Sequence, residues 1–286
     1  MNDWQKAGKI ARGAREYALA LAKVGARHLD IVDAVEKKIV ELGGKPAFPM
    51  DVSVNHMAAH VTPKVDDTSV LQKGDLVKLD IGAHVNGCVA DTAVTVEIGT
   101  TQWKELIAAS EQALKAAIEQ CTHGNQIRNI GRAIHQTITG YGFKAITNLS
   151  GHGLGEWIVH DDPTIPNFDN GDTTVLTDGQ HIAIEPFATT GIGVVGSGKP
   201  CGVYMIQQIK PVRLQSLRAA LTYFMNEFNT LPFCARWIKQ VPNYQFALRQ
   251  LEKEGILKQY TDLPEKSGGM VSQAEHTVEI GVGQIT

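Results

Sequence analysis

Residues 75–97 read DLVKLDIGAHVNGCVADTAVTVE. Two strand-like runs, Asp75–Ala83 and Cys88–Glu97, flank a turn containing Asn86-Gly87, a strong short-range hairpin signal. Each run carries one carboxylate among apolar and β-branched residues, Asp80 in VKLDIG and Asp91 in CVADTAVTV. Across a two-residue turn, paired positions have numbers with an odd sum. Asp80 and Asp91 obey that parity, so both point to the same face. Two like charges so placed repel, and on a buried face each also loses hydration. Protonation or a cation relieves both costs, and a pair of divalent cations is the expected relief. Alone, the hairpin would favour two solvated aspartates on an open face; the remaining segments decide against that.

Composition bounds the answer first. A chain of 286 residues with 43% hydrophobic content can bury one large core, or one domain plus an insertion. With 27 basic and 30 acidic residues the net charge is −3, which excludes a global field for nucleic acid or anionic lipid. The four cysteines, at 88, 121, 201 and 234, form no CxxC pair, so a reducing compartment is expected. No run reaches membrane-spanning length and no apolar h-region follows a basic N-terminus. The chain is therefore expected to be soluble and cytoplasmic.

Apolar periodicity predicts helices over 4–24, 29–42, 103–121 and 125–142, the last with Ile127, Ile130, Ile134 and Ile138 on one stripe. Gly43-Gly44 ends the second helix. Lys6, Lys9, Arg12 and Arg15 form a stripe on the first that reads as a solvated face. Between the second helix and the hairpin lies KPAFPMDVSVNHMAAHVTP, where VSV suggests a short strand. There His56 and His60 stand four apart, without the glutamate of a zinc HExxH motif. In LSGHGLGEWIVHDDPTIPNFDNGD (149–172), His152 sits between glycines in an expected loop. His160 lies eight residues on and is followed by a proline-rich loop. The strand HIAIEPFA (181–188) holds Glu185 immediately before Pro186, and the strand MVSQAEHTVEI (270–280) holds Glu275. Residues 201–210 form another strand. Between about 211 and 266 the chain turns helical and charge-bearing, as an insertion would.

Asp80, Asp91, His152, Glu185 and Glu275 are thus polar residues inside apolar strands or glycine-lined loops, drawn from four segments. Four carboxylates and one imidazole would be a heavy load of buried charge if unpaired. Two divalent cations neutralise the four carboxylates. Oxygen-rich ligation with one histidine suits Mn²⁺, Fe²⁺, Co²⁺ or Zn²⁺, and a two-metal centre is hydrolytic chemistry.

At these motifs the sequence resembles the methionine aminopeptidases and, more broadly, the pita-bread metallopeptidases that include proline-specific aminopeptidases and prolidases. KLDIG, ADTAVTV, SGHGLG, IEPFA and AEHTV fall in the family order over nearly the whole chain. The resemblance implies an α+β pita-bread fold: a curved, mostly antiparallel sheet covered by two helix pairs. It also implies a catalytic domain of residues 1–210 and 267–286 with a helical subdomain inserted at 211–266. By position, Asp80, Asp91, His152, Glu185 and Glu275 would hold two divalent metal ions (Co, Mn, Fe or Zn), with Asp91 and Glu275 bridging.

His60 would contact the substrate near the scissile amide, His160 would stabilise the carbonyl oxygen as it becomes an oxyanion, and Glu185 would shuttle a proton. Phe48 would wall the side-chain pocket with Val159 nearby. The insertion and the PTIPNF segment resemble the type II enzymes, and the absence of an N-terminal extension resembles their short archaeal form. The implied activity is removal of the initiator methionine from nascent chains, with a small second residue preferred. The expected partners are nascent polypeptide N-termini and the ribosome that presents them, with no membrane, no specific nucleic acid, and a monomeric enzyme. A proline-specific aminopeptidase or prolidase, or a non-catalytic partner-binding homologue, are the alternatives.

Overall fold

The computed structural model describes residues 1–286. The hairpin forms around the expected turn: strands Leu76–Val85 and Cys88–Glu97 pair antiparallel from Val85 opposite Cys88 outward. Asn86 and Gly87 take φ of 51° and 90°, the left-handed region that a tight hairpin turn needs and that Asn and Gly tolerate best. Asp80 faces Ala93 across the ladder and Asp91 faces Gly82, so the two carboxylates share a face on a diagonal. Strands Lys45–Pro46 and Asp51–Val54 extend the sheet from Leu76–Val85.

Four helices lie close to where apolar periodicity puts them, Asp3–Leu21, His28–Glu41, Lys104–Ile118 and Ile127–Gly140. Asn2 starts the first through a capping box with Gln5. The first pair buries Ala7, Ile10, Ala14, Ile31 and Val35 against Leu79 and Ile81 of the hairpin sheet. The second pair buries the isoleucine stripe of Ile127–Gly140 and Leu106 against Ile182, Ile184 and Val278 of a second, five-stranded sheet. The ladders are antiparallel throughout. Each helix pair therefore covers one sheet, the layered α+β arrangement that the pita-bread resemblance implies.

Three local expectations are corrected. The stretch 181–188 is two strands, His181–Ile184 and Phe187–Thr189, and 270–280 is likewise split into Val271–Gln273 and His276–Glu279. His181–Ile184 pairs with His276–Glu279 in one sheet and Phe187–Thr189 with Val271–Gln273 in another, so Glu185 and Glu275 sit at the breaks where the two sheets meet. Pro186 has no N–H to give the ladder and its ring restricts Glu185, which is why the strand stops there.

His152 lies in a strand, Ser150–Gly155, rather than in a loop. Its flanking glycines serve close packing, because a Cβ at Gly153 would collide with the backbone of Asp162. Residues 161–166, expected as a loop, continue strand Ile158–Pro166, which is an edge of the five-stranded sheet where proline is tolerated.

Beyond these, strands Pro200–Ile206, Phe233–Cys234 and Leu257–Thr261 form a three-stranded sheet. It packs with helices Gln215–Phe228 and Tyr244–Lys253 around Phe224, Phe233 and Leu251. Arg236 in this region donates to Glu36 and Asp33 of the second helix and to the Pro63 carbonyl, locking it to the rest of the molecule. No helix is long and apolar enough to cross a membrane.

Candidate active site

The junction of the two sheets brings all five expected ligand residues to one cavity of about 210 Å³. Asp80 and Asp91 come from the hairpin face, and His152 from the strand beside it. Glu275 is held against the hairpin by reciprocal backbone hydrogen bonds with Ala93. Asp91, His152 and Glu275 present donor atoms within 4.8 Å of one another. His152 Nε2 lies 3.7 Å from Glu185 Oε1 and 3.9 Å from Asp91 Oδ2. Those spacings are too long for hydrogen bonds and suit atoms around a shared cation. The other ring nitrogen, Nδ1, lies 3.1 Å from the Gly153 carbonyl, which only accepts, so Nε2 carries the lone pair that faces the carboxylates.

The electrostatics are those of an acid cluster without an internal counter-charge. Burial and the Asp80 and Glu185 charges push Asp91 well above the usual carboxylate range. Glu185 and Glu275 are raised likewise by burial and then by their carboxylate neighbours. Burial raises Asp80 to about 6, and burial lowers His152 to about 4. Asp80 Oδ1 and Asp91 Oδ1 are buried with no hydrogen-bond partner. Orphaned anionic oxygens, clustered carboxylates and a neutral imidazole form a donor set that fits divalent cations.

Around this floor stand the other expected residues. His160 is packed edge-on to His152, ring centroids 4.5 Å apart. His60 packs edge-on to Tyr260 at 5.4 Å. Phe48 and Val159 line the cavity wall with Val203, Pro232 and Tyr260. Phe48 reaches the hairpin face because Gly82, opposite Asp91, has no Cβ; one built there would run into its ring. Burial followed by the neighbouring His152, His60 and Lys258 charges holds His160 well below the usual histidine range. A neutral imidazole there still offers one N–H.

Two residues in this site carry no motif signal. Gln273 Nε2 donates to Asp80 Oδ2 at 3.1 Å and reaches Glu185 and Glu275 at 3.4 Å each, so one amide touches three of the acids. Asp51 is buried, lines the cavity and lies directly opposite Asp80 in the ladder. Gln273 could have been suspected from its two-residue spacing to Glu275. Asp51 depends on a strand register that the sequence does not reveal.

The sequence model of metallopeptidase family M24 matches residues 2–223. The methionine aminopeptidase of Thermococcus kodakarensis is 47% identical over 277 residues, covering 96% of this chain and 94% of that protein. Among solved structures, a thermophilic Arx1 superposes with a TM-score of 0.85 at 15% identity, covering 99% of this chain and 89% of its own. A methionine aminopeptidase from Thermotoga maritima superposes with a TM-score of 0.70 at 24% identity, covering 98% and 92%. At those identities the two structures speak for the fold alone.

Proposed function

The chain belongs to metallopeptidase family M24, and from that premise we propose that it removes the N-terminal methionine from nascent proteins and peptides. The observation that carries this reading is the intact acid cluster beneath an apolar-walled cavity, in a chain nearly half identical to a methionine aminopeptidase. A partner-binding homologue has no need of four buried carboxylates aimed at one imidazole, because unpaired they only destabilise the fold.

We assign Asp80, Asp91, His152, Glu185 and Glu275 as the residues that hold two divalent cations, drawn from Co, Mn, Fe and Zn. When bound, these supply Lewis acidity that activates water and polarises the scissile carbonyl. The protein's own groups do the rest. The wall of Phe48, Val159, Val203 and Tyr260 takes the methionine side chain and excludes water around it. His160 donates to the carbonyl oxygen as negative charge develops there. His60 contacts the scissile amide, and a carboxylate oxygen of Glu185 passes a proton to the departing amine. A small second residue is the preference that the family resemblance implies.

The insertion between Glu185 and Glu275 supports a type II member. A separate apolar core within residues 206–257 supports a boundary between the catalytic domain (1–210 and 267–286) and the 211–266 subdomain. Four free thiols support a reducing, cytoplasmic setting. A monomeric enzyme acting on nascent chains at the ribosome completes the proposal.

The test is peptide turnover by metal-stripped protein given back Co²⁺, Mn²⁺, Fe²⁺ or Zn²⁺. Methionine release from Met-Gly-Met-Met but not from a Met-Lys peptide is expected. Cleavage confined to an Ala-Pro peptide would move the chain to the prolidase side of the family, and no turnover with any metal would sink the enzymatic reading. In the active protein, His60→Ala and His160→Ala should keep their metal while kcat falls roughly 10²–10³-fold. Loss of metal instead would show them to be ligands.

A further inference from the structure

Among the three site histidines, only His60 has its backbone in the left-handed region, with φ at 63°. A residue with a Cβ stays there only when its surroundings hold it. One support is visible: the His60 N–H donates to Asp51 Oδ2 at 2.8 Å. Asp51 heads strand Asp51–Val54 and is pinned opposite Asp80 in the ladder, so its carboxylate is placed by the sheet itself. On the other side, His60 Nδ1 lies 3.2 Å from the Thr261 carbonyl, which can only accept. That pairing puts the proton on Nδ1 and leaves Nε2 as the free ring nitrogen.

The choice of residue at 51 is itself informative. A fifth buried carboxylate directly beside Asp80 adds to the like-charge repulsion of the site and loses its hydration. A carboxylate does, however, accept a backbone N–H in a shorter, stronger hydrogen bond than a neutral group does. Its position is therefore explained by what it holds.

We propose that Asp51 is a positioning residue for the methionine-releasing reaction: it fixes the backbone of His60 in its left-handed conformation and so aims the free Nε2 into the cavity. The inference rests on the function proposed above only in taking His60 as a substrate-contacting group.

The experiment places Asp51→Asn and Asp51→Ala in the parent and in a His60→Ala background. It measures Met-Gly-Met-Met kinetics, bound Mn²⁺, and amide hydrogen exchange of the segment 57–63. The amide oxygen of Asn can still accept the His60 N–H, so Asp51→Asn should rescue most activity and keep slow exchange. Asp51→Ala should lower kcat roughly 10–100-fold, the range seen when an orienting partner is lost, with KM moved less than about threefold and Mn²⁺ retained. It should also speed exchange at His60, and in the His60→Ala background it should cost nothing further.

Equal losses in both backgrounds would overturn the proposal, as would loss of Mn²⁺ from Asp51→Asn, which would make Asp51 a ligand. Unchanged kcat in Asp51→Ala would overturn it too. If the parent protein itself releases no methionine, the functional reading fails. Unaltered exchange in Asp51→Ala is the separate result that removes the Asp51–His60 coupling.

Discussion

Glu36 and Asp91 are both almost fully buried, at 8% and 4% exposure, yet they live in opposite circumstances. Glu36 receives both terminal nitrogens of Arg236 at 2.9 and 2.8 Å, the indole N–H of Trp237 at 2.7 Å and the Met50 N–H at 3.3 Å. Its charge is met inside the chain. Asp91 has three carboxylate neighbours, a neutral imidazole and an oxygen with no partner at all. The contrast teaches how to tell a structural buried acid from a functional one: burial is the same, and the supply of a counter-charge differs. Around Arg236 the fold brings its own cation, whereas the acids of the hairpin face have none within the chain, as a candidate metal site would require.

The largest test of that contrast is Asp91→Asn. With metals supplied, turnover should fall to background and at least one metal should bind more weakly. In the metal-stripped protein the same variant should melt higher than the parent, because one charge leaves a repelling cluster. The expected gain is about 2–4 °C for each kcal/mol relieved in a chain of this size. Full activity in Asp91→Asn would sink the two-metal assignment, and a lower melting point without metal would mean that the cluster is already balanced internally.

Next in size is Arg236→Met, which strands Glu36 without its cation and should cost about 3–5 kcal/mol of stability. Metal binding should be unaffected, since Arg236 hydrogen-bonds none of the five residues proposed as ligands. Adding Glu36→Leu to it should restore most of the loss, because an apolar pair needs no counter-charge. Chemical denaturation of the single and double variants checks this. If the double variant is no better than the single, the ion pair is doing something other than neutralising Glu36.

The two regions also differ in how far the sequence discloses them. The hairpin, its parity and its Asn86-Gly87 turn are legible because they are local, and the five residues proposed as ligands can be singled out because polar residues inside apolar runs stand out. The roles proposed for them come from the family resemblance. Glu36 and Arg236 stand 200 residues apart with no periodic signature, so only the folded chain shows that they meet. The breaks at Glu185 and Glu275 were hidden for a different reason. Each run reads as one strand, and the handover between two sheets is a tertiary event that Pro186 alone only hints at. Asp51, just ahead of the VSV run, carries no sequence signal, since its importance lies in register with Asp80 and in a backbone contact.

The smallest effect, and the one that separates the two kinds of acid most directly, is a pair of opposite pH dependences in metal-stripped protein. Burial raises Asp80 to about 6 from an ordinary value of 3.8. The folded state therefore holds this proton more tightly than the unfolded chain, and its ionisation is a penalty at neutral pH that shrinks as pH falls below about 6 and is gone below 3.8. Glu265 is the reverse. Its carboxylate accepts the N–H groups of Ile192, Gly193, Ser267 and Gly269, and it is held at about 2 against an ordinary 4.5. Its contribution is complete above about 4.5 and is lost as pH falls toward 2.

Buried neutral histidines such as His84 and His276 lose stability over part of the same range, so each variant must be read as a difference from the parent. Asp80→Asn should melt above the parent at pH 7.5, with the gap closing as pH drops from about 6 to 3.8. Glu265→Gln should melt below the parent at pH 7.5, with its gap closing only below about 4.5. Two gaps of the same sign would erase the distinction between an acid the chain neutralises and an acid left for a cation.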